Sequence, residues 1–276
     1  MPFGSHLAAI RDEIKPIGPS LLMQFSDLTK QKINLLEQEW KNISTNRRRE
    51  VVDKLKVMAD VCVEPNFDRM FELCLDDPDD EVRKIAIEGL WECEDLRLIP
   101  GLVHILRYDQ VAKVRSAAAA TLGNFILLYE EGKASIKNIF SIIDVLMSVV
   151  YDEDENLEVA CKAVQALSPL SMPCAAEAIQ KAYRLNDLQP RATAILAMGR
   201  NGNPGWFSTI VSELKSPYSE IKIAAVRACG EMGKRSYPYL RELLHDPDAK
   251  VREEVAHVLD EGILTSKETG YNRLPY

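Results

Sequence analysis

Histidine and cysteine are the side chains best suited to metal binding or nucleophilic catalysis, and the chain has four and six of them in 276 residues. They are His6, His104, His245, His257, Cys62, Cys74, Cys93, Cys161, Cys174 and Cys229. The cysteines form no C-x-x-C pair, and neither residue type clusters at the spacing of zinc ligands. The sequence therefore predicts no catalytic residue, no metal site and no cofactor.

One short acidic segment, Asp-Glu-Asp-Glu-Asn at residues 152–156, resembles the start of a calcium-binding loop. An EF-hand loop requires Gly at its sixth position and Glu at its twelfth, and this chain has Leu157 and Ala163 there. We interpret the segment as a solvated acidic turn between two helices. A longer stretch, residues 64–95, carries twelve acidic and three basic residues, and we interpret it as a solubilising rim or a docking surface for a basic partner.

The whole chain is acidic, with a formal net charge of −8 and a pI of about 5.2. Affinity for nucleic acid depends largely on neutralisation of phosphates by Lys and Arg, so an acidic chain is poorly suited to it. Arg47–Arg49 with Lys54 and Lys56 form the one basic cluster of the sequence, which could bind phosphates locally but is not continued along the chain. We expect no nucleic-acid partner.

The longest apolar runs, such as Ile142–Tyr151, are too short to span a bilayer. The cysteines lack the spacing of a disulfide framework, and the first residues do not read as a signal peptide. We therefore expect no membrane association and a cytoplasmic location.

A ten-residue pattern recurs along the chain and is the strongest signal in the sequence. Its most regular copies begin at Asp77, Asp109, Ser216 and Asp246, five positions before an aliphatic residue that a cation follows. The aliphatic position of successive copies is held by Arg47 (in the weakest copy), Val82, Val114, Val159, Pro190, Ile221 and Val251. Successive copies are 30–35 residues apart except for one step of 45, which predicts stacked units with one insertion near residues 129–139.

Two helices fit into each period. An apolar run precedes each turn, and a second run with apolar residues at i, i+4, i+5 and i+8 follows it. Pro100, Pro173 and Pro238 stand near the start of first-helix runs, where a missing N–H costs nothing. The sequence therefore predicts an all-α fold, an α–α superhelix of about seven two-helix repeats.

The repeated unit has the form D-P-x-x-x-V-R-x-x-A…L-G and is clearest in residues 77–90. It resembles HEAT repeats, particularly the short HEAT-like repeats of phycobilisome lyases, and the resemblance covers residues 33–260. It implies that the two helices of a repeat, A and B, pack as a hairpin. It also implies that successive B helices line the concave face of the superhelix.

In such repeats the turn Asp and the B-helix Arg form a hydrogen-bonded ladder between neighbouring repeats. The residues that match stand six apart: Asp77 and Arg83, Asp109 and Arg115, and Asp246 and Arg252. Ser216 and Lys222 make a weakened pair, and the repeats of Val159 and Pro190 lack a full pair. The resemblance therefore implies looser stacking around those repeats.

Iron-dependent deoxyhypusine hydroxylase is an enzyme built from such repeats, and resembling it requires several His-Glu pairs. The four histidines here are followed by Leu7, Ile105, Asp246 and Val258. The resemblance does not extend to that activity.

The resemblance divides the chain into three parts. Residues 1–32 lie outside the repeats and are predicted to form an N-terminal helical cap. Residues 33–262 form the HEAT-like solenoid, a single domain with the insertion near residues 129–139. Residues 263–276 are predicted to form a C-terminal tail.

The B helices supply the candidate binding residues. If each B helix buries the aliphatic position and the fourth, fifth and eighth residues after it, the second and sixth residues after it point outward. The candidate partner-binding residues on the concave face are Lys84, Glu88, Ala120, Gln165, Ala192, Leu196, Ile223, Arg227 and His257. The ends of this row are charged, and the positions from Ala120 through Ile223 are uncharged and mostly small or apolar.

Exposed apolar surface often marks a binding site, so we expect an apolar helix or an extended peptide to bind along this strip. In the alternative interpretation, superhelical curvature or the inserted residues cover it. The sequence thus predicts a non-catalytic protein–protein interaction scaffold or adaptor that binds a partner protein or peptide. The resemblance to phycobilisome lyases allows a second interpretation, a lyase or chaperone for a tetrapyrrole (bilin), and nucleic-acid binding is the third.

Overall fold

The computed structural model describes residues 3–62 and 64–268, with side chains up to residue 260. This part of the chain contains sixteen α-helices and no β-strand, so the prediction of an all-α fold is confirmed. The chain divides into two compact units, and the division falls after Val145, inside helix α9. We call residues 1–145 unit 1 and residues 146–276 unit 2.

Unit 1 begins with two short helices and continues with three helical hairpins. Its helices are α1 (Phe3–Arg11), α2 (Pro19–Leu22), α3 (Lys30–Trp40), α4 (Thr45–Val61), α5 (Asp68–Cys74), α6 (Asp80–Gly89), α7 (Ile99–Tyr108) and α8 (Ala112–Glu130). Helix α9 (Ile136–Tyr151) spans the division between the units. Unit 2 continues with α10 (Leu157–Leu167), α11 (Pro173–Arg184), α12 (Leu188–Asn201), α13 (Phe207–Glu213), α14 (Ser219–Met232), α15 (Tyr237–Glu242) and α16 (Ala249–Glu268).

From α3 onward the described helices form seven A and B pairs in chain order, as the repeat pattern predicts. The A helices carry odd numbers and the B helices even numbers. Within unit 1, B helix α6 packs against both α4 and α8. Within unit 2, the B helices pack in the order α10, α12, α14 and α16.

Helix boundaries follow local sequence signals. The side chains of Ser44, Asp79 and Asp187 each accept a hydrogen bond from a backbone amide in the first turn of α4, α6 and α12. Such N-caps satisfy amides that have no partner within the helix. Gly202 follows the last residue of α12 and caps it, with a φ of 68°, a left-handed conformation that glycine adopts without strain.

The aliphatic position of the repeat lies in the core of both units. Val82, Val114 and Val251 are all fully buried on the first half of a B helix. Val159 and Ile221 share the same environment. The spacing read from the sequence therefore marks one structural position in each repeat.

The step of 45 residues has a different structural origin from the predicted insertion. Helices α8 and α9 are long, with 19 and 16 residues, and only residues 131–135 lie between them. Apolar residues continue the helical period to the end of α8, where Phe125, Ile126 and Leu128 are buried. The additional residues therefore mainly lengthen two helices.

The helices at the two ends of the chain do not follow the predicted boundaries of the N-terminal cap and the C-terminal tail. Helix α3 begins at Lys30, and the residues before it bury Leu7, Ile10 and Phe25 as α1 packs on α3 and α4. Helix α16 runs to Glu268, so it includes residues 263–268, which were predicted to belong to the C-terminal tail. Residues 269–276 of the predicted tail lie outside the described residues. None of the described helices is both long and apolar enough to cross a lipid bilayer.

Candidate functional site

Neighbouring repeats are joined by ion pairs that start from the cation of the repeat pattern. In unit 1 the guanidinium of Arg83 donates from Nε and Nη2 to the carboxylate of Asp109 in the next repeat, at 2.8 and 3.1 Å. Its Nη1 donates to the backbone carbonyl of Asp77 in its own repeat, at 2.8 Å. Arg83 therefore holds its own turn and the next turn together.

This geometry corrects the predicted pairing of residues six apart. Arg83, Arg115 and Arg252 each donate to the backbone carbonyl of the Asp six residues earlier, at 2.7–2.8 Å, and not to its carboxylate. The carboxylates of Asp77 and Asp246 instead accept a backbone amide two residues later, at 2.9 Å, and the cation of the preceding repeat. Spacing alone could not separate these alternatives because both place a cation near the turn.

The first of these ion pairs is the most buried. Arg48 Nη2 donates to Asp77 Oδ1 at 3.2 Å, and Arg48 Nε lies 2.9 Å from Oδ2 but outside hydrogen-bonding alignment. Trp40 Nε1 donates to Oδ2 at 2.7 Å. The Asp77 side chain is fully buried and that of Arg48 is 7% exposed. Removal of the carboxylate would therefore leave a buried cation without a counter-ion.

Two repeats of unit 2 whose predicted pairs are weakened or incomplete, those of Pro190 and Ile221, have ion pairs as well. Lys222 Nζ lies 2.6 Å from Asp246 Oδ2 in the next repeat, and both side chains are nearly buried. Arg191 Nη2 lies 2.6 Å from Glu213 Oε1, which also accepts the Tyr183 hydroxyl. In these two repeats a longer acidic side chain or a lysine replaces the usual partner. Looser stacking around the repeats of Val159 and Pro190 stays a prediction.

Helices α12 and α14 of unit 2 pack closely against each other at Gly199. A Cβ at Gly199 would lie 2.6 Å from the Cα of Ala228. Helices α12 and α14 therefore approach each other at backbone distance, which only a glycine at position 199 permits.

The basic cluster is occupied by contacts within unit 1. Arg47 is 5% exposed and donates to three backbone carbonyls at and beyond the end of α1, at 2.6–3.0 Å. These carbonyls belong to Ile10, Asp12 and Lys15. Cations at a helix C-terminus satisfy carbonyls that lack a partner within the helix. Arg47 thus fixes the first helix onto the first repeat.

The other members of the cluster are paired too. Arg49 donates twice to the Asp79 carboxylate, at 2.8 and 2.6 Å, and this contact lowers the pKa of Asp79 to about 2. Lys54 donates to the Ile17 carbonyl at 3.2 Å, and Lys56 donates to a carboxylate oxygen of Asp60 at 2.9 Å. The cluster therefore presents no array of unpaired cations to a phosphate backbone.

The acidic segment 152–156 forms the turn before α10. Asp152 Oδ1 accepts the Asp154 amide at 3.0 Å, and Asn156 Oδ1 accepts the Glu158 amide at 2.9 Å as the N-cap of α10. Among the described residues, no group of three or more His, Cys, Asp or Glu side chains is arranged to hold a metal ion.

The B helices of unit 2 form a groove of about 660 Å³. Its lining includes four of the predicted partner-binding residues: Gln165, Leu196, Arg227 and His257. Leu196 is half-buried, and Ala197, Ala228 and Val258 add buried apolar surface. Arg227 donates to both carboxylate oxygens of Glu254 at 2.8 Å, so this charged pair crosses from α14 to α16. The groove thus combines an apolar floor with a charged rim.

The remaining predicted residues lie elsewhere. Lys84, Glu88 and Ala120 are half-buried residues of unit 1 and do not line this groove. Ile223 is half-buried on α14. Ala192 is only 8% exposed, which contradicts its predicted outward orientation.

Ala192 shares its repeat position with Ser116 and Cys161, which are also buried. This position, the second residue after the aliphatic one, is thus buried in three consecutive repeats, whereas the sixth residue of the same repeats is half-buried. The exposed strip is therefore narrower than the sequence predicts.

Several groove residues were not predicted. Arg200 and Glu231 are exposed lining residues that stand ten positions after Pro190 and Ile221. The prediction used the second and sixth residues after the aliphatic position, and the tenth residue, one helical turn further on, lies on the same side of the helix. Glu254, the partner of Arg227, has no such periodic signal, since its carboxylate reaches the groove from the side of α16.

The buried thiols of the chain are poor nucleophiles. Burial raises the pKa of Cys229 to about 12 and raises that of Cys161 as well. A protonated thiol reacts slowly, because the thiolate is the nucleophile. These cysteines therefore serve as core residues.

A sequence model described as HEAT repeats matches residues 67–139 and 177–260, more than half of the chain. No curated protein matches it. Among solved structures, the chain is similar to human deoxyhypusine hydroxylase in complex with glycerol, at 17% identity over 95% of this chain and 96% of that one, with a TM-score of 0.39.

Two further solved structures are engineered proteins. The chain is 17% identical to one of them over 94% of this chain and 77% of that one, with a TM-score of 0.49. It is also 17% identical to a designed armadillo repeat protein in complex with the peptide (KR)4, over 70% and 98% of the chains, with a TM-score of 0.41. Similarities at this level give no information about function.

Proposed function

The chain belongs to the HEAT repeat family, and from this premise we propose that it is a non-catalytic scaffold or adaptor that binds a partner protein or peptide on its B-helix face. The observation that carries the proposal is the groove of unit 2. Gln165, Leu196, Arg227 and His257 come from four successive repeats and line one depression. A surface built from consecutive repeats suits an extended or helical segment that crosses several B helices.

The chemistry of the groove suits a segment with one or two apolar anchors. The half-buried Leu196 and the neighbouring small residues can cover an apolar side chain, which supplies most of the binding free energy. The exposed Arg200 and Glu231 offer charges of both signs at the rim, where they set orientation more than affinity. Its volume lies within the ordinary range of ligand pockets, roughly 300–1,000 Å³.

The charged pair that crosses the groove suits binding better than catalysis. Arg227 and Glu254 are held by each other in a two-bond pair, and this contact raises the pKa of Arg227 and lowers that of Glu254. Both groups are therefore fixed in their charged forms, whereas a general acid or base must exchange its proton near neutral pH. This pair serves as a structural and recognition element.

The proposal can be tested with a displayed library of random peptides selected against the immobilised protein. We expect selected peptides to share an apolar anchor, and we expect Leu196→Glu to weaken their binding by at least about tenfold in fluorescence anisotropy. A carboxylate at this position would be desolvated by the apolar anchor, which is the physical reason for the loss.

Leu185→Glu is the matched control, because Leu185 is 43% exposed in unit 2 and does not line the groove. Its peptide affinity should equal that of the unsubstituted protein, and both variants should keep the helical circular dichroism signal. Equal loss of binding in the two variants, or selected peptides indifferent to both, would contradict the proposal.

A further inference from the structure

A second B-helix face, in unit 1, exposes large apolar side chains. Trp91 is 55% exposed just after the end of α6, and Leu127 is 41% exposed on α8. The Asn124 side-chain amide donates to the Trp91 backbone carbonyl, so the backbone at Trp91 is tied to α8. Leu127 follows Asn124 by three residues and lies on the same side of the helix. An exposed tryptophan is a preferred type of contact residue at protein interfaces.

The charges on this face are unevenly balanced. Four lysines each have at least one carboxylate partner within 4 Å, and three of them have two. The pairs are Lys56 with Asp60, Lys84 with Glu81 and Glu88, Lys113 with Asp80 and Glu81, and Lys133 with Glu94 and Glu131. Six carboxylates therefore share four ammonium groups.

Further carboxylates add to this surplus. Asp53 and Glu92 are exposed, and Glu92 directly follows Trp91 in the chain. Asp60, by its hydrogen bond, raises the pKa of Lys56, and the charges of Glu88 and Asp53 raise it further. A cation is thus stabilised at this face beyond what its direct partner provides.

We propose that this face binds a basic segment of a partner protein, with an arginine or lysine side chain packed on the Trp91 indole and adjacent cations paired with the surplus carboxylates. A guanidinium over an indole ring gains a cation–π contact, and the negative field around it selects for positive charge. The inference rests on the proposed function in that both use B-helix faces, but it concerns different residues in a different unit.

The test uses fluorescein-labelled octa-arginine as the probe and the full chain as the binder, with anisotropy measured at low and at physiological salt. Trp91→Ala should weaken binding by about tenfold, and Trp91→Phe by less, because Phe retains an aromatic face. The double variant Glu88→Gln with Glu92→Gln should also weaken it by about tenfold. Trp91 is exposed, so its variants should retain the helical signal.

The double variant Glu153→Gln with Asp154→Asn is the matched control, since it removes two exposed carboxylates from unit 2 that have no tryptophan beside them. It should leave the affinity unchanged within about twofold. Equal losses in the two double variants, or full affinity in Trp91→Ala, would show binding to net charge alone and overturn the proposal. Leu196→Glu should bind the probe normally, so failure of the groove in unit 2 and failure of this face are distinguishable.

Discussion

Units 1 and 2 join their repeats in the same way but present different B-helix faces. In both units a cation at the start of one B helix binds a carboxylate in the next repeat, as in Arg83 with Asp109 and Lys222 with Asp246. The exposed positions differ: unit 1 carries shared ion pairs around Trp91, whereas unit 2 forms a groove over Leu196. The comparison teaches that the buried positions maintain the repeat, whereas the outward-facing positions are free to differ between the units.

The inter-repeat ion pairs also tolerate exchange of side chains. Arg with Asp in unit 1 becomes Lys with Asp or Arg with Glu in unit 2, and the N–O distances stay at 2.6–2.8 Å. What differs is burial, since the Asp77 pair of unit 1 is almost completely enclosed. The predictions below use these differences, beginning with the largest effect.

The largest effect is expected from Asp77→Ala. This change leaves Arg48 buried and unpaired and removes the acceptor of Trp40, so we expect a loss of about 4 kcal/mol in the free energy of unfolding of unit 1. Asp76→Ala is the control, because Asp76 is exposed and its removal should change stability by less than about 0.5 kcal/mol. Urea unfolding followed by circular dichroism measures both, and equal losses would refute the role given to the buried pair.

Two cations on α14, Lys222 and Arg227, allow a buried ion pair and an exposed ion pair of unit 2 to be compared. Lys222→Ala leaves a nearly buried Asp246 without its partner and should cost about 3 kcal/mol. Arg227→Ala breaks a pair whose arginine is 54% exposed, so solvent screening limits the cost to less than about 1 kcal/mol. Native-state hydrogen exchange in α14 and α16 should rank the variants in this order, and the reverse order would contradict the account.

The third largest loss of stability is expected where α12 contacts α14 at Gly199. Gly199→Ala places a methyl group against the backbone of Ala228, so we expect α12 and α14 to separate at a cost of about 2 kcal/mol. Gly101→Ala is the matched change in unit 1, where nothing lies within 4 Å, and it should be neutral or stabilise by about 0.5 kcal/mol. A neutral Gly199→Ala would show that the two helices do not need this close approach.

The smallest effect concerns acid stability in unit 1. The Arg49 contact lowers the pKa of Asp79 to about 2, below its unfolded value near 3.9, so this carboxylate stabilises the folded state above about pH 4. The contribution, about 1 kcal/mol after screening, should be lost as the pH falls from about 4 to about 2. Asp79→Asn keeps an N-cap acceptor and should remove this part of the pH dependence, whereas an unchanged acid profile would exclude the ion pair as its source.

Much of the fold could be predicted from the sequence, because the period is carried by residues with a single structural role. Val82, Val114, Ile221 and Val251 lie in the core and mark the four regular copies. The partner of each turn aspartate could not be predicted, because Arg83 lies near two turns and only the packing of neighbouring B helices decides between them.

The candidate site was predictable in part. The rule that the sixth residue after the aliphatic position points outward identified Leu196, Arg227 and His257, and the structure places these three residues in one groove. The second residue after the aliphatic one was predicted wrongly at Ala192, because its burial depends on how closely the neighbouring B helices pack on α12. Periodicity gives the direction of a side chain from its own helix but not the distance to the next one.

The most direct test of the proposed function is site-specific photocrosslinking in cells that naturally make this protein. A photoreactive p-benzoylphenylalanine at position 196 should yield a discrete protein adduct, and the same residue in place of Leu185 should not. Adducts that are absent at position 196, or identical at both positions, would contradict the claim that the B-helix groove of unit 2 holds a partner.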